Sequence, residues 1–211
     1  MQNIAVLGAT GYTAVELIKI LLRHPYARIV ALTSRDETRT IDKVHPQLDG
    51  RLTLPLENLT PSQVASRADC VFSCLPHCAT AKVAPELLAA GAKVIDFGAD
   101  YRLDSSDVFE TWYGEKHPDP ERLGKVPYGL PELYRSEIAG QNLIANPGCY
   151  PTSAILALAP LLQNKIIEPD DIIIDSKSGV SGGGRKAKLN FHYPECNESI
   201  AAYGVGTHRH T

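Results

Sequence analysis

The stretch Asn3-Ile4-Ala5-Val6-Leu7-Gly8-Ala9-Thr10-Gly11-Tyr12-Thr13-Ala14 decides the fold. Asn3 to Leu7 reads as a short buried strand, and the apolar run breaks at a glycine. Thr13 to Leu22 then sets Val15, Leu17, Ile18, Ile20, Leu21 and Leu22 at helical spacing. The turn between strand and helix is G-x-x-G-x-x-A rather than G-x-G-x-x-G, but the physics is shared. Gly8 and Gly11 allow a tight turn and close backbone approach, so that a pyrophosphate can sit on the helix N-terminus. An ordinary strand-to-helix turn holding two glycines is the plain alternative. Its place at the first turn of a βαβ unit favours nucleotide binding, with Gly8, Thr10, Gly11, Tyr12 and Thr13 as the expected contacts.

Outward from that turn, strand and helix patterns alternate. Arg28 to Thr33, Cys70 to Cys74, Lys93 to Asp96 and Asn142 to Ala145 read as strands, and Ala79 to Ala90 as a helix stopped at Gly91. Each crossover is long enough to hold a helix, as parallel pairing requires. The class is α/β. A Rossmann-type parallel sheet domain is expected over residues 1–147, followed over 148–211 by the start of an α+β catalytic domain. Residues 101–135, with Pro127-Tyr128-Gly129 and Leu130-Pro131, read as irregular surface structure. Ile172-Ile173-Ile174 reads as a buried strand, and Ser178 to Arg185 as a loop too rich in glycine for regular structure. Because His208-Arg209-His210-Thr211 ends the chain without a closing element, the sequence is expected to be a truncated piece of a longer protein.

Composition narrows the function classes. The 211 residues carry 21 basic and 24 acidic side chains, for a net charge of −3, with no basic stripe to follow a nucleic acid. No apolar run approaches the ~20 residues that span a bilayer, and the N-terminus shows no export signal. A cytoplasmic protein is expected, with no nucleic-acid or membrane partner. Five cysteines are an odd number, so reduced thiols are the default. No paired C-x-x-C or H-x-x-x-H spacing points to a metal, and none is expected.

The end of the second strand bears on the cofactor. NAD sites usually place an acid there for the ribose 2′-hydroxyl. This strand ends Thr33-Ser34-Arg35, and a hydroxyl beside a guanidinium suits a 2′-phosphate, which favours NADP. Leu75-Pro76-His77 follows another strand, and its backbone is expected near the nicotinamide ribose. His77 is read as an exposed loop histidine, and Asp96 as a group that caps its own turn.

Asn146-Pro147-Gly148-Cys149-Tyr150-Pro151-Thr152 lies between a strand and an apolar helix. A cysteine at a helix N-terminus feels the positive end of the helix dipole, which favours the thiolate. A thiolate beside a nicotinamide points to attack on an activated acyl group, followed by hydride reduction of the thioester to an aldehyde. His208 and His210 could each supply an imidazole; an extended backbone would put both on one face. Ser178 to Gly184 offers successive backbone donors for a phosphate, with Arg185 and Lys186 beside it, unless it is only a flexible linker.

Taken in order, Gly8-Ala9-Thr10-Gly11-Tyr12-Thr13, Leu75-Pro76-His77, the Cys149 segment, Ser178-Gly179-Val180-Ser181-Gly182 and His208-Arg209-His210-Thr211 resemble the N-acetyl-gamma-glutamyl-phosphate reductases. These are relatives of aspartate-semialdehyde dehydrogenase in arginine biosynthesis. The resemblance implies NADPH-dependent reduction of N-acetyl-glutamyl 5-phosphate to the 5-semialdehyde with release of phosphate. It implies Cys149 as nucleophile and a histidine of the His-Arg-His motif, here taken as His210, as its acid–base partner. Ser178 and Gly179 join the cofactor contacts, and Asn146, Ser181, Gly182, Arg185 and His208 the acyl-phosphate contacts. A homo-oligomer in the full-length protein is also implied. Two departures stand out: family members are longer, and Cys78 occupies a place where a glycine is expected. The alternatives are a reductase of another acyl phosphate, such as aspartyl phosphate, and a non-catalytic NADP-binding module or redox sensor.

Overall fold

A wholly parallel six-stranded sheet organises the first part of the chain in the computed structural model, which describes residues 1–210. Its strands are β1 (Gln2–Leu7), β2 (Ala27–Thr33), β3 (Leu56–Glu57), β4 (Cys70–Ser73), β5 (Lys93–Asp96) and β6 (Leu143–Ala145), in the spatial order β3-β2-β1-β4-β5-β6. This is the doubly wound dinucleotide-fold order, and its direction reverses between β1 and β4. Parallel strands need crossovers, and these carry α1 (Tyr12–Leu21), α2 (Ile41–Val44), α3 (Pro61–Ala65), α4 (Thr80–Ala89), α5 (Ser106–Tyr113) and α6 (Pro131–Ile138).

Strand β1 shows why the sequence runs apolar rather than alternating. Ala5 and Leu7 join Val71, Leu87 and Val94 on one face, while Ile4 and Val6 join Val15, Ile18 and Leu32 on the other. Both faces are covered, as is usual for parallel sheets. The crossover between β2 and β3 adds Ile41, Val44 and Leu48 to the second cluster, against Ala9, Ala14 and Ile18.

The N-terminus of α4 is capped from a distance. Asp100, fully buried, accepts hydrogen bonds from the backbone N–H groups of Cys78 (2.7 Å) and Ala81 (2.9 Å). Cys78 has φ +62°, the left-handed region that a glycine occupies most easily. The glycine expected there from the family pattern thus has a backbone reason.

In this first unit, Met1–Asn146, one expectation fails and another proves incomplete. Residues 101–135 are not irregular surface. They form α5 and α6 and bury Tyr101, Phe109, His117, Asp119, Leu123 and Leu130. His117 anchors the segment: its Nδ1 accepts from the Asp119 N–H, so its Nε2 donates to the Asp100 carbonyl at 2.6 Å. α5 opens after Ser105, whose side chain accepts from the Val108 N–H as a standard N-cap, and it closes at Gly114. Asp96 also does more than cap its turn, as described below.

The second unit, Pro147–Thr211, holds α7 (Cys149–Gln163), α8 (Tyr193–Cys196) and two short 3₁₀ turns, Val180–Gly183 and Leu189–Phe191. Ile172, Ile173 and Ile174 do not form the expected buried strand; Ile173 is 92% exposed. A strand exists only when paired, and among the described residues this unit has no other strand to pair with. The Ser178–Gly184 segment is not wholly irregular, because its centre closes a 3₁₀ turn. Thr211, which ends the His208 motif, lies outside the described residues.

Candidate functional site

In the first unit the strand ends on the C-terminal side of the sheet gather at the reversal point, where open α/β sheets bind ligands. Gly8 follows β1 with φ +70°, and a Cβ there would stand 2.7 Å from the Cys74 carbonyl oxygen and 3.3 Å from Leu75 Cδ2. Only glycine lets the β1 turn pass this close to the end of β4. The structure thus brings Gly8 and Leu75 together. Gly11 caps α1 with no side-chain hydrogen bond, and the first turn carries no acid. The first-turn N–H groups are therefore not met by a capping side chain, which fits an anionic group there. Tyr12 and Thr13, in that turn, are exposed.

At the tip of β2, the Ser34 hydroxyl accepts from the Glu37 N–H at 3.2 Å. Arg39 holds Glu37 through two guanidinium contacts, at 3.0 and 2.6 Å, and keeps that carboxyl down to about 2. Arg39 is thus committed to Glu37. Arg35 is exposed and makes no hydrogen bond or ion pair among the described residues, so its charge faces outward beside Ser34. Pro76 and His77 are exposed after β4, and His77 packs edge-on against Tyr113 at 5.2 Å.

Asp96 ends β5 with no exposure to solvent. The Thr80 hydroxyl (2.6 Å) and the Gly98 N–H (2.8 Å) donate to its Oδ1, Ser73 shares a 2.8 Å bond with Thr80, and Oδ2 is buried without a partner. Burial, followed by the neighbouring Asp100, raises this carboxyl to about 6, against the hydrogen bond from Thr80. Arg102 was not singled out by any spacing. Its guanidinium donates to the carbonyls of Asn146 (2.8 Å) and Phe97 (2.9 Å), tying the end of β6 to the end of β5.

Within the second unit, Cys149 is the first residue of α7, after the N-cap Gly148. It is exposed, whereas burial pushes Cys70 and Cys78 up to about 11 and Cys74 up to about 12. The three cysteines of β4 and its turn are held as thiols, and Cys149 is the accessible sulfur set at a helix start. Thr152 braces that start by donating from its hydroxyl and its N–H to the Gly148 carbonyl, at 2.8 and 2.9 Å.

His210 reaches the same place from the end of the chain. A Cβ on Gly148 would lie 2.7 Å from its Nε2. The backbone around His208 and His210 turns rather than extends, so the two rings do not lie on one strand face. They meet edge-on at 5.0 Å, and the His208 Nδ1 accepts from the His210 N–H. Tyr150 packs against both, at 5.3 and 5.8 Å, and its hydroxyl lies 2.5 Å from that of Tyr203. That bond, then burial and the charges of Tyr150 and Cys149, push Tyr203 up to about 12. Tyr203 escaped the sequence reading; an aromatic five residues before a His-x-His pair is a weak signal.

Ser178, Gly179, Ser181, Gly182 and Arg185 are exposed in this unit. The segment spends part of its donors on itself: Gly182 N–H goes to the Gly179 carbonyl and Gly184 N–H to that of Ser181. A run of wholly available donors, as the loop suggested, is therefore not what forms. Asn146 lies half-buried at the end of the first unit, its carbonyl held by Arg102.

Residues 3–141 match the semialdehyde dehydrogenase NAD binding domain, and residues 149–211 the semialdehyde dehydrogenase dimerisation domain. Among curated relatives, N-acetyl-gamma-glutamyl-phosphate reductase of Rhodopirellula baltica is 53% identical over 99% of this chain and 60% of its own length. Enzymes of the same name from Desulfotalea psychrophila and Moorella thermoacetica are 52% and 50% identical over the whole chain and 61% of theirs. The chain thus spans about 60% of the length of the relatives it matches. Two solved aspartate semialdehyde dehydrogenases share the fold. The Vibrio cholerae enzyme II complexed with ASA gives a TM-score of 0.54 at 21% identity, covering 77% of this chain and 47% of that one. The Candida albicans enzyme with NADP gives 0.54 at 18% identity, covering 78% and 47%. With a reversal-point glycine turn in one unit, a cysteine at a helix start in the other, and both family domains matched in order, the chain belongs to the semialdehyde dehydrogenase family.

Proposed function

We propose that the protein is an NADPH-dependent acyl-phosphate reductase that converts N-acetyl-L-glutamyl 5-phosphate to N-acetyl-L-glutamate 5-semialdehyde and phosphate, in arginine biosynthesis. The observation that carries this reading is the setting of Cys149: an exposed sulfur on the first residue of α7, directly after a glycine against which His210 packs. The substrate follows from the shared name of relatives about half identical over the whole chain.

Gly8, Thr10, Gly11, Tyr12 and Thr13 would hold the pyrophosphate, and Ser34 and Arg35 the 2′-phosphate. Leu75 and Pro76 would border the nicotinamide ribose, with Ser178 and Gly179 completing the cofactor contacts. Bound NADPH supplies a hydride. The Cys149 thiolate attacks the acyl carbon, a C–S bond forms, the C–O bond to phosphate breaks, and phosphate leaves with the electron pair. Hydride addition to the thioester carbon and breakage of the C–S bond then give the aldehyde and regenerate the thiolate. His210 holds the proton that the thiol gives up and returns one to the oxygen that gains charge. Asn146, Ser181, Gly182, Arg185 and His208 would position the acyl phosphate, Arg185 by its charge.

The same reading makes the protein a cytoplasmic enzyme and a homo-oligomer in its full-length form. Its support is the matched dimerisation domain and the fact that no helix among the described residues is long and apolar enough to cross a membrane. The test is phosphate-dependent reduction of NADP with N-acetyl-glutamate semialdehyde, on this chain and on a full-length form, against aspartate semialdehyde. Activity with the acetylated compound alone is expected. Preference for aspartate semialdehyde would overturn the substrate, and NADP binding without turnover in either form would overturn the reaction.

A further inference from the structure

His45 sits at the junction of α2 and the following 3₁₀ turn, in the crossover that leaves β2 after Thr33 and begins with Ser34 and Arg35. It is 2% exposed, and its Nε2 lies 3.1 Å from the carbonyl oxygen of Ala9, in the middle of the glycine turn. A carbonyl only accepts, so Nε2 carries the hydrogen. Neighbouring Ile41, Val44 and Leu48 belong to the same buried cluster as Ala9, Ala14 and Ile18, so the segment on either side of His45 is anchored in the core beside the turn.

Ala9 is fully buried, and both of its backbone groups are hydrogen-bonded within the protein. Its N–H donates to the Thr33 carbonyl at the end of β2 (2.9 Å), and its carbonyl accepts from His45. Among the described residues no peptide is cis, and in a planar trans peptide the carbonyl and the following N–H point in opposite directions. Holding the Ala9 oxygen toward His45 therefore directs the Thr10 N–H away from it. Were that peptide to rotate, the turn would offer an anionic ligand a carbonyl oxygen in place of an N–H. Without the imidazole donor, the Ala9 carbonyl would be a buried acceptor with no reason to keep its direction.

We propose that His45 is a positioning residue for the dinucleotide. Through its bond to the Ala9 carbonyl it holds the Ala9–Thr10 peptide with its N–H toward the cofactor pyrophosphate. The proposal rests on the reading that the glycine turn takes the pyrophosphate of NADPH.

The test is direct binding to the 211-residue chain, with two probes: NADPH, and adenosine 2′-monophosphate, which has the 2′-phosphate but no pyrophosphate. His45→Phe keeps a ring of similar size and removes the donor, while His45→Gln keeps an N–H donor. The expected result is a loss of about 10-fold or more in NADPH affinity for His45→Phe, recovered to within about 3-fold by His45→Gln, with adenosine 2′-monophosphate binding unchanged. Equal losses for both probes would mean general damage and would overturn the proposal, as would no change for either. If wild-type chain binds adenosine 2′-monophosphate but not NADPH, the pyrophosphate reading falls and the proposal with it. Nitrogen NMR of the His45 ring in the wild-type chain tests the same bond without a variant. A proton on Nε2 is expected; a bare Nε2 with the proton on Nδ1 would overturn the proposal.

Discussion

His210 fills the space that a side chain on Gly148 would take: a Cβ built there stands 2.7 Å from Nε2 and 2.8 Å from Cε1 of the imidazole. The glycine before Cys149 is thus required less for its own backbone, whose φ of −71° and ψ of 154° suit any residue, than for the ring packed against it. Gly148→Ala in the full-length enzyme should displace His210 and lower turnover by about 100-fold. NADPH affinity should stay within about 2-fold. Steady-state kinetics beside a cofactor titration separates the two effects, and unchanged turnover would detach His210 from the reaction.

Asp96 predicts a pH dependence of stability. Its folded carboxyl is raised from 3.8 to about 6, so the protonated form is the one the fold favours. Stability from this group is fully present below about pH 4 and is lost as pH rises through about 6. Between about pH 4 and pH 7 the wild-type chain should lose about 2 kcal/mol that Asp96→Asn does not lose. Denaturant unfolding of both proteins across that range checks it, and parallel curves would contradict it.

Arg35 and Arg39 stand four residues apart, but only Arg39 is tied to a carboxylate. Arg35→Ala should therefore weaken NADPH by about 10-fold or more and leave NADH nearly unchanged, as expected for loss of a charge-assisted phosphate contact. Isothermal titration with the two cofactors reads this directly; equal losses would remove Arg35 from 2′-phosphate recognition.

Much of the fold was legible because parallel strands buried on both faces leave short apolar runs. β5, Lys93–Asp96, falls on its sequence-derived limits, and β1, β2, β4 and β6 lie within one residue of theirs. What escaped depends on contacts distant in sequence. β3 is two residues long and exists because Leu56 and Glu57 pair with Leu32 and Thr33. Residues 101–135 look like loop because Gly and Pro punctuate them, yet Phe109 and Tyr101 are buried around His117, which no local pattern encodes. Ile172 to Ile174 carry strand composition without a partner strand.

The candidate site divides along the same line. Gly8, Cys149 and His210 could be named because each sits in a local motif. His45 and Arg102 act on backbone carbonyls 36 and 44 residues away, and Tyr203 bonds to Tyr150 across 53. Hydrogen bonds of that separation leave no periodic trace in a single sequence.

Cys78 turns a departure from the family pattern into a test. With φ +62° and its N–H held by Asp100, the residue bears a Cβ in the left-handed region. Cys78→Gly relieves that cost of about 1–2 kcal/mol, against a greater entropy loss on folding of up to about 1 kcal/mol. The net expectation is a chain of equal or slightly greater stability, checked by thermal unfolding. A clear loss would show that the buried thiol contributes more through packing than its backbone costs.

The most direct test of the central claim is to mix the full-length enzyme with N-acetyl-glutamyl 5-phosphate in the absence of NADPH and to measure released phosphate and intact protein mass together. The account predicts about one phosphate per site, a mass increase equal to the N-acetyl-glutamyl group mapped to Cys149, and neither event in Cys149→Ser. Phosphate release that requires NADPH, or an acyl adduct that survives in Cys149→Ser, would contradict the thioester mechanism.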